Sequence, residues 1–480
     1  MTVARLCFVA LCGVLAYGLW VTGLLAQANI WQADGLRRFL IFFAVYSTLA
    51  ALIVALKPAI LPGLFTPGAL LLAIVSAGPV APFSALAVMF SARVLGRVIL
   101  RSETSHPLLE TTLGLALQQF VIFAIVALPW NYPLTYALLT AFPLILRPGL
   151  TLASAAEIWR TLSHGSSDRR TSALLALNGF IALTHWIVAL KPEVSADGLA
   201  MHLVIPESVR QAHLWWFSVD RFSWSVMPMG GDWCYTHAYL LGGEFAARLL
   251  NPLLLLTVTG LLFSTVRRWI SDRTALLLTA VFLSTPLVQL VTGSLFIENY
   301  LALMVTGALL ATAVGREQHD TRWTAAAAVL CGAALASKFG ALSLIVPVMV
   351  LLIASIGPDW RARAACTGLF LAFGIHPYLN AWIRTGNPLF PFLNQIFRSP
   401  QFALEPLLDP RFRQGVNWRS LYDATFHTSR FLESQDGALG LSYLVLLPMT
   451  LIAFRRTWPW LGKAALLVST IGFVLIFAVQ

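Results

Sequence analysis

A chain of 480 residues that is 58% hydrophobic and only 11% charged, with mean hydropathy +0.77, lies outside the composition of soluble globular domains. The net charge of +11 does not point to nucleic acid, because Arg and Lys concentrate in short connectors between apolar runs, where they mark the cytoplasmic side of a membrane. Alternating segments of ~10 residues, the mark of a transmembrane barrel, are absent, and the five cysteines show neither a disulfide framework nor metal-type spacing.

The first apolar run, residues 4–26, is too long for a signal-peptide core and reads as a retained span. Residues 1–150 read as about six spans, at roughly 20 apolar residues each, with turns at SAGPVAP and PWNYP. Arg37 and Arg38 fall on the outer side of that reading and violate its charge rule locally. Residues 151–171 form a basic cytoplasmic connector carrying Arg160, Arg169 and Arg170.

Beyond it the spans alternate without forcing. One runs out at 172–190, a long polar break occupies 192–247, and the chain returns at 249–266 to the basic RRWISDR. Spans at 275–294 and 300–315 flank the outer turn SLFIENY, and spans at 323–337 and 339–357 flank the outer turn SKFG. A further outward span at 364–380 opens a second long loop, 381–438, before spans at 439–454 and 462–480. The basic connectors between these spans land inside and both long loops land outside. The expected fold is an all-α polytopic membrane protein of about 13–15 transmembrane helices with two large extracytoplasmic loops.

Ionisable residues near a membrane exit are costly and therefore informative. Asp197 stands just beyond the 172–190 span, with His202 five residues on and Glu207 and Arg210 behind it on an amphipathic stretch. It reads either as a helix cap or as a carboxylate placed to take a proton from an acceptor hydroxyl. Glu298 and Asn299 lie in a tight outer turn, where charge is either solvated or orients a substrate. Lys338, at the outer end of a small-residue helix, runs against the positive-inside pattern. It either snorkels to the interface or holds a phosphate.

The second outer loop contains GNPLFPF, with Pro388 and Pro391 interrupting any helix. Arg384, Arg398, Arg411, Arg413, Arg419 and Arg430 offer phosphate contacts that Glu405, Asp409 and Asp423 can instead neutralise. His213, His237, His376 and His427 are too scattered to predict a metal site. The Trp-rich HLWWFSVDRFSW reads equally as an interfacial belt and as a sugar-stacking platform.

Taken in order, these features resemble the GT-C superfamily of integral membrane glycosyltransferases, in particular the polyprenyl-phosphate-sugar-dependent branch of protein O-mannosyltransferases and the aminoarabinose transferase of lipid A. The resemblance covers about residues 172–460. It is carried by D-x-L-x-x-H-L at Asp197, Leu199, His202 and Leu203, and by GGE-x-x-A-R-L-x-N from Gly242 to Asn251. Lys338 followed by an apolar run to Pro347 extends it, as does G-N-P-x-x-P-F from Gly386 to Phe392.

The resemblance implies a bacterial inner-membrane enzyme with its site at the outer face. It would use a polyprenyl-phosphate-linked sugar donor and a lipid, glycan or protein acceptor. Asp197 would be the general base, and His202, Glu298, Lys338, Arg384 and Asn387 would contact substrate. It fixes no cofactor and leaves a divalent metal open. The chain departs from it in three ways: Asp197 is flanked by Ala196 and Gly198 rather than by a second acid, Met201 precedes the histidine, and the N-terminal group of spans lies outside the family's common core. A lipid-linked oligosaccharide flippase and an O-antigen polymerase or ligase are the competing readings. A transporter should place its charges near the midplane in related halves.

Overall fold

A computed structural model of the chain describes residues 2–26, 32–101, 105–163, 165–405, 412, 414–454 and 457–479. Every regular element among them is helical. The first six helices are α1 (Thr2–Thr22), α2 (Ala33–Leu56), α3 (Leu61–Ala77), α4 (Val80–Leu100), α5 (Pro107–Val126) and α6 (Pro133–Leu146). The chain then turns by 94° at Pro148 into α7 (Pro148–Ser163), because proline disfavours helix in the residue before it. Helix α8 (Arg169–Ala189) starts at Asp168, whose side chain accepts from the Thr171 amide at 2.8 Å.

A single π-helical turn, Gly198–His202, leads into α9 (Val204–Ala212) and then the long α10 (Gly230–Val266). Next come α11 (Asp272–Leu283) and α12 (Pro286–Gly293), bent 62° apart, and α13 (Glu298–Gln318). The remainder is α14 (Thr321–Leu335), α15 (Leu342–Ser355), α16 (Trp360–Gly374), α17 (His376–Thr385), short α18 (Asn394–Phe397) and α19 (Ser420–Phe426), then α20 (Tyr443–Ala453) and α21 (Trp460–Val479).

Among the described residues, eight helices are long and apolar enough to cross a bilayer, up to ten when each bent pair is taken as one span. The shorter apolar helices α15, α20 and α21 add to these. The chain is an integral multi-pass membrane protein. Its spans are unequal in environment: only 6% of α2's apolar window is buried, against 72% for α13. Helix α13 is therefore central, and the outer helices present Phe39, Ile41 and Leu52 to lipid.

The core begins where α4 crosses α5. A Cβ on Gly96 would lie 1.9 Å from the Glu110 carbonyl oxygen, and one on Gly114 would lie 1.7 Å from that of Ala92. Only glycine allows this backbone contact, the small-residue packing that membrane helices use in place of hydrophobic burial. Helices α10, α13 and α14 then close over the pair through Leu254, Met304 and Leu330, all sharing one core with Leu113. Two of the N-terminal helices are thus structurally continuous with the C-terminal region.

The polar break differs from its reading as loop throughout. From Gly230 to Leu241 it is buried helix, and α10 is kinked where Gly242 and Gly243 take φ of −146° and 72°. Hydropathy undercounts this segment because several of its polar groups are satisfied internally. The Asp232 carboxylate meets His202, the Thr236 hydroxyl donates to the Asp232 carbonyl at 2.8 Å, and His237 Nε2 lies 2.7 Å from the Thr140 hydroxyl.

Candidate active site

The site rests on a buried knot that the motif from Gly242 to Asn251 supplies. Arg248 reaches out of α10 to bond the Glu193 carboxylate, with 3% and 1% of the two side chains exposed. Its guanidinium also donates to the carbonyls of Val188 (3.2 Å), Ala189 (3.3 Å) and Gly293 (2.8 Å). One turn on, the Asn251 amide donates to the carbonyls of Val291 and Ser294, and its oxygen accepts from Asn299 at 2.9 Å. The end of α8 and the turn before α13 are thereby tied to one helix.

Glu193 is saturated. Its Oε1 accepts from the Val194 and Ser195 amides and the Ser195 hydroxyl, and its Oε2 from the Leu295 amide at 2.6 Å. Burial raises its pKa, but the Ser195 donors and Arg248 outweigh this and hold the carboxyl below its ordinary range. Gly198 completes the packing, since a Cβ there would stand 2.4 Å from Ser195 Oγ and 2.5 Å from the Glu193 carboxyl carbon.

Four residues beyond Glu193, this frame presents Asp197. It is half-buried and makes no side-chain hydrogen bond or ion pair among the described residues, so the capping role its position suggested is not taken up. The cation whose field it shares is Lys338.

Lys338 occupies the turn between α14 and α15 and bonds Glu298 Oε1 at the start of α13; about half of the lysine side chain is exposed. Glu298 Oε2 has no partner among the described residues. The neighbouring carboxylate raises the Lys338 pKa, against the pull of burial, so the ammonium stays charged. Next to the lysine, the Phe339 ring packs edge-on to Tyr378 at 5.6 Å and Phe392 at 5.1 Å, joining this turn to the Gly386–Phe392 loop.

His202 is 9% exposed, and its Nδ1 lies 2.6 Å from Asp232 Oδ1 in the first turn of α10. Burial lowers the imidazole pKa, and the Asp232 carboxylate reverses this to raise it above its ordinary value; Glu298 adds to the rise and Lys338 opposes it. Sequence reasoning missed Asp232. Gly-Gly-Asp opening a helical run is a helix-start signature that would have found it.

Two sequence candidates sit differently. Asn387 is fully buried and spends its amide on its own loop, donating to the Phe392 carbonyl at 2.9 Å and accepting from the Leu389 amide at 2.9 Å. Both polar atoms of its side chain already bond within the loop, which gives Asn387 a role in shaping it. Arg384 donates to the Phe217 carbonyl and lies 4.4 Å over the Trp216 ring, in a cavity of about 110 Å³ shared with Trp215 and Trp233. Glu207 is lowered to about 2 by Arg210 and Tyr239, and pins α9 to α10. Arg411, Arg413 and Asp409 lie outside the described residues. A larger cavity of about 800 Å³, between α11–α12 and residues 433–442, contains none of these groups.

The His202–Asp232 and Lys338–Glu298 pairs thus lie within one another's electrostatic reach, and Asp197 lies within that of Lys338; the five residues come from the first loop and three helix ends. Residues 226–380 match the family model of dolichyl-phosphate-mannose-protein mannosyltransferases. That match, over roughly a third of the chain, supports the GT-C superfamily of glycosyltransferases. That GT-C match spans Asp232, Glu298 and Lys338, whereas Asp197, His202, Arg384 and Asn387 lie outside it. No curated protein and no solved structure matches the chain. Among the described residues, no three His, Cys, Asp or Glu side chains converge as a metal-ligand group.

Proposed function

We propose that the protein transfers a sugar from a polyprenyl-phosphate donor to a lipid, glycan or protein acceptor at the outer face of a bacterial inner membrane, with inversion at the anomeric carbon. The observation that carries this reading is an unpartnered carboxylate, Asp197, within the field of Lys338, whose side chain is half-exposed. A base for the acceptor hydroxyl and a cation for the leaving phosphate fit sugar transfer from a lipid phosphate. Asp197 takes the acceptor's hydroxyl proton as that oxygen attacks the sugar. Lys338 stabilises charge on the departing phosphate, exchanging Glu298 for it, and Glu298 holds the ammonium in place between turnovers.

The arrangement favours this over a transporter, because the paired charges gather at helix ends rather than at the bilayer midplane. The test is transfer from a panel of radiolabelled polyprenyl-phosphate sugars, mannose first, in membranes holding equal amounts of wild type or Asp197→Asn. Transfer that collapses in the variant supports the reading. Transfer that survives moves the base elsewhere, and a wild type inert with every donor and acceptor class overturns the function.

A further inference from the structure

Asp197 and Lys338 account for the proton taken from the acceptor and for charge on the donor, but not for the buried pair beside them. His202 presents Nδ1 to Asp232 at 2.6 Å, and a carboxylate can only accept there, so Nδ1 carries hydrogen. Its Nε2 makes no hydrogen bond among the described residues and is not one of the polar atoms closed off from solvent. The Phe296 ring stands edge-on at 5.9 Å and limits the imidazole's movement. A histidine oriented by a carboxylate on one nitrogen and open on the other is the arrangement that proton transfer uses.

Resting on the function proposed above, we infer that the Asp232–His202 pair is the acid that protonates the departing lipid phosphate. The acceptor oxygen bonds to the anomeric carbon and gives its proton to Asp197. The bond from that carbon to the phosphate oxygen breaks, and its electron pair goes to the oxygen. That oxygen takes the proton from His202 Nε2; after the lipid phosphate leaves, Asp197 gives its proton to water and the imidazole regains one from water. No other reactant is needed.

The groups facing the imidazole fit this assignment. Asp232 on α10 and Glu298 at the head of α13 favour the charged ring, Lys338 opposes it, and Asp197 lies on the same loop. The ring's pKa stands above its ordinary value. The charged ring therefore persists to higher pH than a free imidazole and is lost as pH rises through that raised value.

The experiment compares wild type, His202→Gln and Asp232→Asn across pH with radiolabelled polyprenyl-phosphate mannose. It is repeated with a donor whose lipid carries fluorines next to the phosphate, which makes the leaving group a weaker base. With the ordinary donor, His202→Gln should slow transfer by roughly 10²-fold and remove the high-pH limb of kcat. Asp232→Asn should move that limb to lower pH. With the fluorinated donor, the deficit of His202→Gln should shrink at least about tenfold, since a weaker base needs less protonation. An equal deficit with both donors, together with an unchanged high-pH limb, would overturn the inference while leaving sugar transfer intact. A wild type that uses no lipid-phosphate sugar would instead defeat the function on which it rests.

Discussion

Two carboxylate–cation pairs meet the turn that opens α13, and they are built to opposite ends. Glu193 and Arg248 are sealed, with both carboxylate oxygens occupied by backbone, hydroxyl and guanidinium donors. Lys338 and Glu298 are 48% and 38% exposed, and Glu298 Oε2 is shielded from solvent with no partner among the described residues. A buried pair cannot be opened by a ligand without leaving a charge stranded in low dielectric. A half-exposed pair can exchange one partner for a phosphate at little cost. The same chemistry thus serves as a frame in one place and as a seat for substrate in the other.

The comparison breaks first at Arg248. Replacing it with Met strands the Glu193 carboxylate and should cost about 3–5 kcal/mol, read as a large fall in thermal unfolding temperature in detergent. Arg248→Met melting like wild type would remove the distinction between the two pairs. Asp197→Asn should lower transfer roughly 10²–10⁴-fold while melting unchanged, because that carboxylate holds no structural partner.

A smaller effect is expected at Lys338. Lys338→Ala should raise the apparent KM for the lipid-linked sugar by about tenfold or more, the worth of a charged hydrogen bond. Stability should change by less than about 1 kcal/mol, as for an exposed pair. Wild-type donor dependence in that variant would exclude the phosphate role.

The last contrast is with pH. Glu193 titrates below its unfolded value of about 4.3, so its contribution is complete above that pH and drains away as pH falls toward the lowered native value. Unfolding temperature in wild type should therefore fall on acidification below about pH 4.3, and Glu193→Gln should flatten that slope.

Much of the fold was legible because a bilayer enforces hydropathy. The expected span at 172–190 corresponds to α8, that at 300–315 to α13 and that at 323–337 to α14, each within a few residues. Charge placement likewise singled out Asp197 and Lys338. What stayed hidden was pairing over distance. Arg248 and Glu193 are 55 residues apart, and nothing local in either segment names the other. Asp232 was overlooked because its helix looks polar until His202, Thr140 and the helix's own carbonyls are seen to satisfy it. Asn387 shows the same limit from the other side: a residue conspicuous among prolines and aromatics is buried and bonds within its own loop, which no local pattern announces.

The glycine crossing of α4 with α5 bears on the order of assembly during synthesis. These helices are neighbours in sequence, so their contact closes over a short connection and forms as soon as both have been inserted. The helix that packs most closely on α4 from the other half, α10, begins only at Gly230. The nascent hairpin must therefore hold its shape with one flank still bathed in lipid, and the glycine-to-backbone contact is local enough to do so. Cysteines introduced at Ala92 and Leu113 should become crosslinkable in chains truncated before residue 230. A crosslink that waits for full length would make α10 the template instead.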